Sequence, residues 1–428
     1  MKTFWWLALH LGLASGAATP EAESGLDPRP QHLVPFQLDG LFKRGDPARP
    51  ANIDLSAWKP GKVKLQWAGD IFVGTPPQKF NLIFDTGASM MLIAANNCTT
   101  CGTHPRFDPS KSTTFSPKPC FRMAVYFNSG GGGTVNSPEQ QGGNCTVVTD
   151  TVRMSDRPTN RSEFLVCDTY SSLLREQTPD GLFGLSSTPT SLWGLEPNLT
   201  FPFIPVFWQL VQSGQLPSPE FSFSFIPSHG PNGRREGVLT LGGTDRSQYI
   251  PSTLRKIPLN WPLSESRFRW VVDVHGARID GYTLHNSTDA VTLIDTGSAA
   301  MVTPDRETTA ELYARMSDAI QPIDERGAWG APCEVLDRVV RDVVFAVGSP
   351  EQKVDVVVKK KYVNVGEYPG KPGICQGVFV DPERVAREPI NRRPAWIFGT
   401  PWLRSYYTVW NGAERTIGFA TPSHRDWD

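Results

Sequence analysis

This 428-residue chain has no large excess of positive or negative charge. Lys and Arg total 42, Asp and Glu total 43, and the formal net charge is −1. Proteins that hold nucleic acid or an anionic membrane surface electrostatically carry a clear positive excess, so neither partner is predicted. The glycine-rich stretch at residues 129–134 is not followed by Gly-Lys-Ser/Thr, which excludes a phosphate loop there.

Motifs of several hydrolase classes are missing as well. The sequence contains neither Gly-x-Ser-x-Gly nor His-Glu-x-x-His, which are the usual marks of α/β-hydrolase serine enzymes and of zinc proteases. Cys98, Cys101 and His104 lie close together in the sequence, but a structural zinc site needs four ligands. No second CxxC or HxxxH occurs, and we therefore expect neither a metal nor a cofactor.

Cysteine is infrequent, at seven residues. In an oxidising compartment most of these would pair, which leaves one as a buried thiol or with an unrecognised partner. Disulfides in loops explain Cys98 and Cys101 better than zinc does. The sequence leaves the pairing open for five of the seven: Cys98, Cys101, Cys120, Cys145 and Cys167.

A short, mostly apolar stretch occurs at the N-terminus, at residues 4–13, between Lys2 and a zone of small residues that ends at Ala18. This order is typical of a secretory signal peptide, which we predict to span residues 1–18. A membrane anchor is the alternative, but a spanning helix needs about 20 apolar residues. The predicted destination is the extracellular space, with a vacuole as a second possibility.

Residues 19–44 are polar and rich in proline, and they end in the basic pair Lys43-Arg44. We interpret this stretch as a propeptide that is cut after Arg44, although a solvated charge pair is the plainer alternative.

In a secreted protein, Asn-x-Ser/Thr sequons on surface loops can accept glycans. Five such asparagines are predicted sites: Asn97, Asn144, Asn160, Asn198 and Asn286.

Alternating apolar and polar residues dominate the rest of the chain, together with 38 glycines and 38 prolines. This composition favours a mostly β protein with many turns. The spacing of apolar residues predicts short helices at residues 205–214 and 307–316.

The tripeptide Asp-Thr-Gly occurs twice, each time after a short apolar run. Asp85 follows residues 82–84, and Asp295 follows residues 291–294. Each half of the chain later repeats an apolar pair before a glycine, at Gly184 and at Gly399. The duplication predicts two related β lobes, at residues 45–245 and 246–428.

Two carboxyl groups brought together by such a duplication would share one proton, because they cannot both ionise cheaply at hydrogen-bonding distance. If Asp85 and Asp295 meet across a pseudo-twofold axis, the charged member can take a proton from water. The neutral member can then donate a hydrogen bond to a carbonyl oxygen as negative charge develops on it.

The residues that follow each aspartate fit this arrangement. Gly87 and Gly297 would let backbone N–H groups approach and hold the carboxylates. Thr86 and Thr296 would form hydrogen bonds across the interface between the lobes.

At these residues the sequence resembles the pepsin-like aspartic proteases, in a secreted, fungal-type form. The resemblance covers residues 53–420 and depends on six blocks in the family's order: GDIFVGTPPQKFNLIFDTGAS, FDPSKSTTF, DGLFGL, GVLTLGGTD, VTLIDTGSAAMVTP and WIFGTPWLRSYYTVWNGAERTIGFA. It implies an all-β, bilobal, pepsin-like double β-barrel with pseudo-twofold symmetry and a few short helices. It also implies an endopeptidase that works at acidic pH, and this family is the standard example of a shared-proton carboxyl pair.

By this resemblance Asp85 and Asp295 are the catalytic pair, and Gly184 and Gly399 lie on strands beneath the catalytic loops. The resemblance also implies a disulfide between Cys333 and Cys375. Residues assigned to substrate binding or the flap are Tyr126, Gly87, Gly297 and Ser298. The implied partners are protein or peptide substrates, the chain's own propeptide and pepstatin-type inhibitors, and the implied state is a monomer.

The chain departs from the family pattern at several positions. Ala88 replaces the serine that usually follows the first Asp-Thr-Gly, which removes a hydrogen bond expected at Asp85. Tyr126 is followed by Phe127 and not by glycine, so a core tyrosine is the alternative to a flap tyrosine. The tryptophan that commonly follows the first loop is missing, and Thr400 stands where the last block often has Asp.

Two other functions are compatible with parts of the pattern. A secreted binding protein or inhibitor could keep the same fold without activity, and the altered flap motivates that alternative. A carbohydrate-active enzyme also uses two carboxylates, but it does not need paired Asp-Thr-Gly turns. The endopeptidase is the favoured hypothesis.

Overall fold

The computed structural model describes residues 49–58, 66–127, 141–189, 191–193, 201–230, 233–267, 269–382 and 392–424. All of these residues belong to one compact unit of the chain, Gly40–Asp428. The predicted signal peptide, the propeptide with its basic pair, and Asn198 lie outside the described residues. The side chains of Cys120 and Tyr126 also lie outside them.

Strands are the main regular structure of the described residues, and the first fourteen come from the half of the chain that holds Asp85. They are β1 (Ala51–Trp58), β2 (Gln66–Val73), β3 (Gln78–Asp85), β4 (Leu92–Ala94), β5 (Ser116–Phe127), β6 (Gln141–Met154), β7 (Arg157–Cys167), β8 (Gly181–Gly184), β9 (Ser191–Trp193), β10 (Phe201–Phe203), β11 (Glu220–Ser224), β12 (Ser228–Gly230), β13 (Gly233–Arg235) and β14 (Gly237–Leu241).

Fifteen further strands follow in the described part of the second half. They are β15 (Arg255–Pro258), β16 (Val271–Ile279), β17 (Tyr282–Thr283), β18 (Ala290–Ile294), β19 (Met301–Val302), β20 (Gln321–Pro322), β21 (Trp329–Pro332), β22 (Val343–Gly348), β23 (Lys353–Val358), β24 (Asn364–Glu367), β25 (Ile374–Gly377), β26 (Phe379–Val380), β27 (Ala395–Phe398), β28 (Tyr407–Asn411) and β29 (Thr416–Ala420).

Helices are few and short in the described residues. They are α1 (Ser172–Glu176), α2 (Val206–Gln212), α3 (Trp261–Arg267), α4 (Arg306–Met316), α5 (Cys333–Val339) and α6 (Thr400–Leu403), with 3₁₀ turns at Pro109–Lys111, Pro251–Thr253 and Lys360–Tyr362. The two predicted helices are confirmed as α2 and α4. Asp305 caps α4, because its side chain accepts a hydrogen bond from the backbone N–H of Thr308.

The strands form two large sheets and three small ones in the described residues. The larger has thirteen strands in the order β15-β29-β28-β11-β14-β1-β2-β3-β8-β4-β7-β6-β5, and the next has eight in the order β23-β22-β16-β18-β27-β19-β26 with β17 beside β16. The predicted all-β fold is confirmed. The lobe boundary after residue 245 stays a prediction, because the thirteen-stranded sheet takes strands from both sides of it.

The two halves repeat one local pattern of strands. In the first, β3 runs parallel to β8 and pairs Asp85 with Gly184, while β4 runs antiparallel to β8. In the second, β18 runs parallel to β27 and pairs Ile294 with Phe398, while β19 runs antiparallel to β27. Each aspartate therefore lies at the carboxyl end of a buried central strand.

Aromatic side chains pack together where β11, β28 and the segment before β16 meet. Trp270 contacts Trp410 and Phe221 at ring-centroid distances of 5.2 and 5.6 Å. Removing one such side chain from water contributes about 4–6 kcal/mol of transfer free energy. This packing fixes the segment before β16, which lies against both aspartate turns.

Three disulfides link described cysteines: Cys98–Cys101, Cys145–Cys167 and Cys333–Cys375. The last is the pair that the resemblance implied. His104 does not share a metal with Cys98 and Cys101, since those sulfurs are bonded to each other, and its Nδ1 lies 3.2 Å from Asp180. Within the described ranges no group of three or more His, Cys, Asp or Glu is placed to hold a metal ion.

Candidate active site

Both Asp-Thr-Gly turns follow strands that are buried where they approach the turn. Leu82, Ile83 and Phe84 are all buried before Asp85, so β3 carries the carboxyl group of Asp85 into a buried position. The two carboxyl-bearing residues are nearly inaccessible, with 5% of Asp85 and 2% of Asp295 exposed.

The two turns face each other at contact distance. A Cβ atom built on Gly87 would lie 2.6 Å from the carboxyl carbon of Asp295, and one built on Gly297 would lie 2.4 Å from that of Asp85. Each carboxyl group therefore lies against the glycine of the opposite turn, which only a residue without a side chain permits. The sequence prediction that these two aspartates meet agrees with this geometry.

Backbone N–H groups hold the carboxylates from their own turns. The N–H of Gly87 donates to Asp85 Oδ1 at 2.6 Å, and the N–H of Gly297 donates to Asp295 Oδ1 at 2.9 Å. Hydrogen bonds to a charged oxygen are stronger than neutral ones and fix its position.

Reciprocal hydrogen bonds between two threonines join the turns. The Thr86 hydroxyl donates to Ile294 O at 2.9 Å and accepts from the Thr296 N–H at 3.0 Å. The Thr296 hydroxyl donates to Phe84 O at 2.6 Å and accepts from the Thr86 N–H at 3.0 Å. Each of these buried bonds contributes about 1 kcal/mol net, and losing one leaves a partner unsatisfied.

The electrostatic surroundings keep Asp85 from ionising easily. Burial raises the pKa of Asp85 well above its usual range, and the neighbouring charge and hydrogen bond of Asp295 raise that pKa further. The positive charge of Arg269 and the N–H of Gly87 lower the pKa of Asp85 in opposition. The balance favours one proton held between the two carboxyl groups.

Gly184 and Gly399 lie beneath the two turns. A Cβ on Gly184 would lie 2.5 Å from the carbonyl carbon of Ser89, and one on Gly399 would lie 2.4 Å from Ala300 O. Both obstacles are backbone atoms, so neither can move aside cheaply. Because Gly184 and Gly399 have no side chain, β8 and β27 can approach the loops that follow Asp85 and Asp295.

Of the remaining positions discussed from the sequence, the structure describes Ser298 and Ala88 in full and only the backbone of Tyr126. Ser298 is fully buried, and its hydroxyl donates to Ala300 O at 3.2 Å within the second turn. Tyr126 lies on β5 opposite Gly142 of β6, but its side chain is outside the described part, so the flap assignment stays a prediction. Ala88 packs against the core of the first half.

Three residues at the site carried no signal in the sequence. Gln66 donates from Nε2 to Gly297 O at 2.6 Å, and Trp270 donates from Nε1 to Leu185 O at 2.8 Å. Arg269 acts on Asp85 by its charge. None of the three belongs to a recognisable local motif, and Gln66 and Trp270 reach the site through hydrogen bonds to residues far away in the sequence.

Sequence comparison agrees with this geometry. The sequence signature of the family described as eukaryotic aspartyl protease matches residues 66–422. The chain belongs to the eukaryotic aspartyl protease family. The matched segment includes both Asp-Thr-Gly turns and the strands beneath them, so the resemblance found in the motifs is confirmed over most of the protease.

Relatives of this protease are similar along most of their length. Gastricsin of Callithrix jacchus is 26% identical over 387 residues, covering 88% of this chain and 87% of gastricsin. Pepsin-2B of Gadus morhua is 24% identical over 364 residues, with 84% and 97% covered, and cathepsin E of Aquarana catesbeiana is 25% identical over 366 residues, with 84% and 80% covered. The prediction of an aspartic-type endopeptidase is confirmed.

None of the helices in the described part of the protease combines the length and apolar character that crossing a bilayer requires.

Proposed function

We propose that Asp85 and Asp295 are the catalytic pair of this protease and that they hydrolyse internal peptide bonds of protein or peptide substrates. The observation that carries the proposal is the mutual contact of the two turns, in which each carboxyl group lies against the glycine of the other. The shared burial and the raised pKa of Asp85 support a pair that holds one proton.

The reaction follows from that protonation state. The ionised carboxylate takes a proton from a water between the two groups, and the oxygen of that water bonds to the scissile carbonyl carbon. The protonated carboxyl group donates to the carbonyl oxygen as it gains negative charge. The C–N bond then breaks as the departing nitrogen receives a proton from the pair, which leaves a carboxylic acid and an amine.

The raised pKa of Asp85, which burial and the neighbouring Asp295 cause, supports a pair that holds one proton when substrate binds. Gly87 and Gly297 keep both carboxyl groups in place through their N–H groups, and Thr86 and Thr296 keep the turns together. We assign Ser298 to the support of the second turn and Tyr126 to a flap over the substrate.

Acidic working pH follows from the need for one proton on the pair. At high pH both carboxyl groups lose their protons, and the hydrogen bond to the substrate carbonyl is lost with them. We therefore propose that activity is highest in acid and falls as the pair becomes doubly ionised.

Secretion and processing complete the proposal. Residues 1–18 would be a signal peptide, and residues 19–44 a propeptide that blocks the site until it is cut after Arg44. The exposed positions of four sequon asparagines support glycosylation: Asn97, Asn144, Asn160 and Asn286. The protease would act as a secreted monomer that binds pepstatin-type inhibitors.

The test is an Asp85→Asn variant of the chain trimmed after Arg44, assayed on a denatured protein substrate in acid. We expect kcat/KM to fall by roughly 10²–10⁴-fold or more, because one of the two proton-transfer groups is removed. Asp70→Asn is the matched control, since Asp70 is a half-buried carboxylate 2.7 Å from Lys79, and it should keep full activity.

Full activity of Asp85→Asn would overturn the proposed mechanism. A trimmed wild-type chain that cuts nothing and binds no pepstatin-type inhibitor would instead favour the non-catalytic binding protein. Mapping the cleavage products at several pH values would give the side-chain preference on either side of the cut.

A further inference from the structure

Asn97 lies in a turn whose backbone is held on both sides. The N–H of Ala95 donates to Cys167 O at 2.9 Å, and the N–H of Cys98 donates to Ala95 O at 3.0 Å. After the turn, Cys98 forms a disulfide, and Arg106 Nε donates to Cys98 O at 3.1 Å. Asn97 itself is exposed, so a group attached to its side chain would start from a fixed position.

A groove of about 270 Å³ lies beside this turn, and we call it the Asn97 groove. Its lining includes six side chains that matter here: Asn97, Phe107, Phe115, Arg122, Val166 and Asp168. Phe107 is buried, and its ring centroid lies 6.0 Å from that of the partly exposed Phe115. The groove therefore offers an aromatic surface next to Asn97.

Two oppositely charged side chains supply the polar part of the groove. Arg122 and Asp168 form an ion pair, in which a guanidinium N–H of Arg122 donates to a carboxylate oxygen of Asp168. The Arg122 side chain is 66% exposed and that of Asp168 is 23% exposed, so a ligand can reach polar atoms of both. An apolar surface with a few polar groups is the usual composition of a small-ligand site.

The size and chemistry of the Asn97 groove match one sugar ring. Sites that enclose a drug-sized ligand measure roughly 300–1,000 Å³, so this groove fits a single small unit. The C–H faces of a sugar ring pack on aromatic surfaces, and its hydroxyl groups form hydrogen bonds to charged side chains. Asn97 begins the sequon Asn97-Cys98-Thr99, and of the four sequon asparagines that the structure describes it alone lines this groove.

We propose that the Asn97 groove is a carbohydrate-binding site, and that its occupant is the first N-acetylglucosamine of a glycan on Asn97. The sugar ring packs against Phe115, and its polar groups form hydrogen bonds with Arg122 and Asp168. The covalent link keeps the sugar at a high effective concentration beside the groove. The contacts stabilise the folded protein, because the unfolded chain has no groove. This inference rests on the secretion included in the proposed function and does not involve the carboxyl pair.

The experiment measures how fast peptide-N-glycosidase releases glycans from the native protease after secretion from a eukaryotic host. Mass spectrometry gives the rates at Asn97 and at Asn160 in the same sample, each divided by its rate in the denatured protein. Asn160 is the matched control, because it is exposed at the other end of the strand that carries Val166. We expect release at Asn97 to be about tenfold slower, which corresponds to about 1.4 kcal/mol.

Phe115→Ala separates packing in the groove from crowding in the turn. This variant removes the exposed aromatic surface and keeps the disulfide and the backbone hydrogen bonds around Asn97. The normalised rate at Asn97 should then rise to that at Asn160. Phe72→Ala is the control, since Phe72 is a partly exposed phenylalanine on β2 outside the groove, and it should leave the ratio of the two rates unchanged.

Urea denaturation provides a second readout. Thr99→Ala removes the sequon and keeps Asn97, so it separates loss of the glycan from loss of the asparagine. We expect the urea midpoint to fall in both Thr99→Ala and Asn97→Gln, because both lack the sugar that contacts only the folded state. Asn160→Gln, which loses a glycan outside the groove, should keep the wild-type midpoint.

Four results would overturn the inference. They are a secreted protease without a glycan on Asn97, equal normalised rates at Asn97 and Asn160, slow release at Asn97 that Phe115→Ala does not change, and a wild-type urea midpoint in Thr99→Ala. None of these measurements uses peptide-bond cleavage. Failure of this inference and failure of the proposed catalytic function are therefore distinguishable.

Discussion

At the scale of single residues, Gly87 and Gly297 are as necessary to the site as the carboxyl groups that lie against them. A methyl group at position 297 would lie 2.4 Å from the carboxyl carbon of Asp85, closer than nonbonded carbon atoms approach. The side chain of Asp85 would have to leave its place beside Asp295.

We expect Gly297→Ala to lower kcat/KM by at least about 10²-fold, because misplacement of a reacting group by about 1 Å has that effect. Steady-state kinetics in acid would measure it. Gly370→Ala is the control, since Gly370 has φ +78° and open space around it. That change should cost only about 1–2 kcal/mol of backbone strain and leave kcat/KM unchanged.

The threonine pair gives a second prediction at this scale. Replacing Thr86 by valine removes the acceptor for the buried N–H of Thr296 and the donor to Ile294 O. We expect the free energy of unfolding to fall by about 1–3 kcal/mol, measured by urea denaturation in acid. Thr86→Ser keeps the hydroxyl and should lose less. Equal stability of the two variants would contradict this role.

At the scale of elements, the site depends on one strand arrangement used twice. The parallel pairs β3–β8 and β18–β27 deliver the aspartates, and the glycines at the ends of β8 and after β27 let the following loops cross over them. The site therefore depends on backbone contacts beneath the turns as well as on the turns themselves.

We expect Gly184→Ala to destabilise this arrangement by about 1–3 kcal/mol or more, because its Cβ would lie 2.5 Å from the backbone of Ser89. Chemical denaturation would measure the change. Gly214→Ala measures backbone strain without overlap, since Gly214 has φ +71° and no atom lies within 4 Å of the added Cβ, and it should cost about 1–2 kcal/mol. A Gly184→Ala variant as stable as the wild type would show that the loop does not constrain the strand.

Sequence patterns predicted the parts of the site that are local. Asp-Thr-Gly after an apolar run, and an apolar pair before Gly184 and Gly399, are each contained within a few residues. The contacts of Gln66 and Trp270 could not be predicted this way, because they join residues 231 and 85 positions apart. The disulfide between Cys145 and Cys167 likewise depends on the register of β6 and β7, which places them directly opposite.

At the scale of the whole molecule, two buried titratable groups, His104 and Asp85, both make the free energy of unfolding fall as pH rises. His104 Nδ1 lies 3.2 Å from Asp180 Oδ1, and its Nε2 lies 3.0 Å from Leu174 O. Both nitrogens face acceptors, so only the imidazolium satisfies both contacts. The hydrogen bond with Asp180 is the main reason that the pKa of His104 is raised.

When the pKa of a group is higher in the folded state than in the unfolded state, protonation of that group stabilises the folded protein. The stability from His104 is therefore complete below about pH 6.5, the ordinary value for histidine, and is lost as pH rises through the higher folded value. Burial raises the pKa of Asp85, so its contribution is also present in acid, below about pH 3.9. It is lost as pH rises through the folded value of Asp85.

We expect the free energy of unfolding to fall as pH rises from about 5 to 8, through the range where histidine titrates. Urea denaturation at several pH values would measure the slope. The slope should flatten in His104→Gln and not in His229→Gln, because His229 is exposed. A slope unchanged in His104→Gln would remove this histidine from the explanation.

The measurement that tests the central claim most directly is the pH dependence of peptide-bond cleavage by an Asp295→Asn variant beside the trimmed wild-type protease. Asp295 lies in the second half of the chain, yet the account makes it an equal partner of Asp85 in a single site. We predict a loss of roughly 10²–10⁴-fold or more in kcat/KM at every pH, with the cooperative unfolding transition retained. Cleavage by Asp295→Asn at more than a tenth of the wild-type rate would contradict a catalytic pair built from both turns.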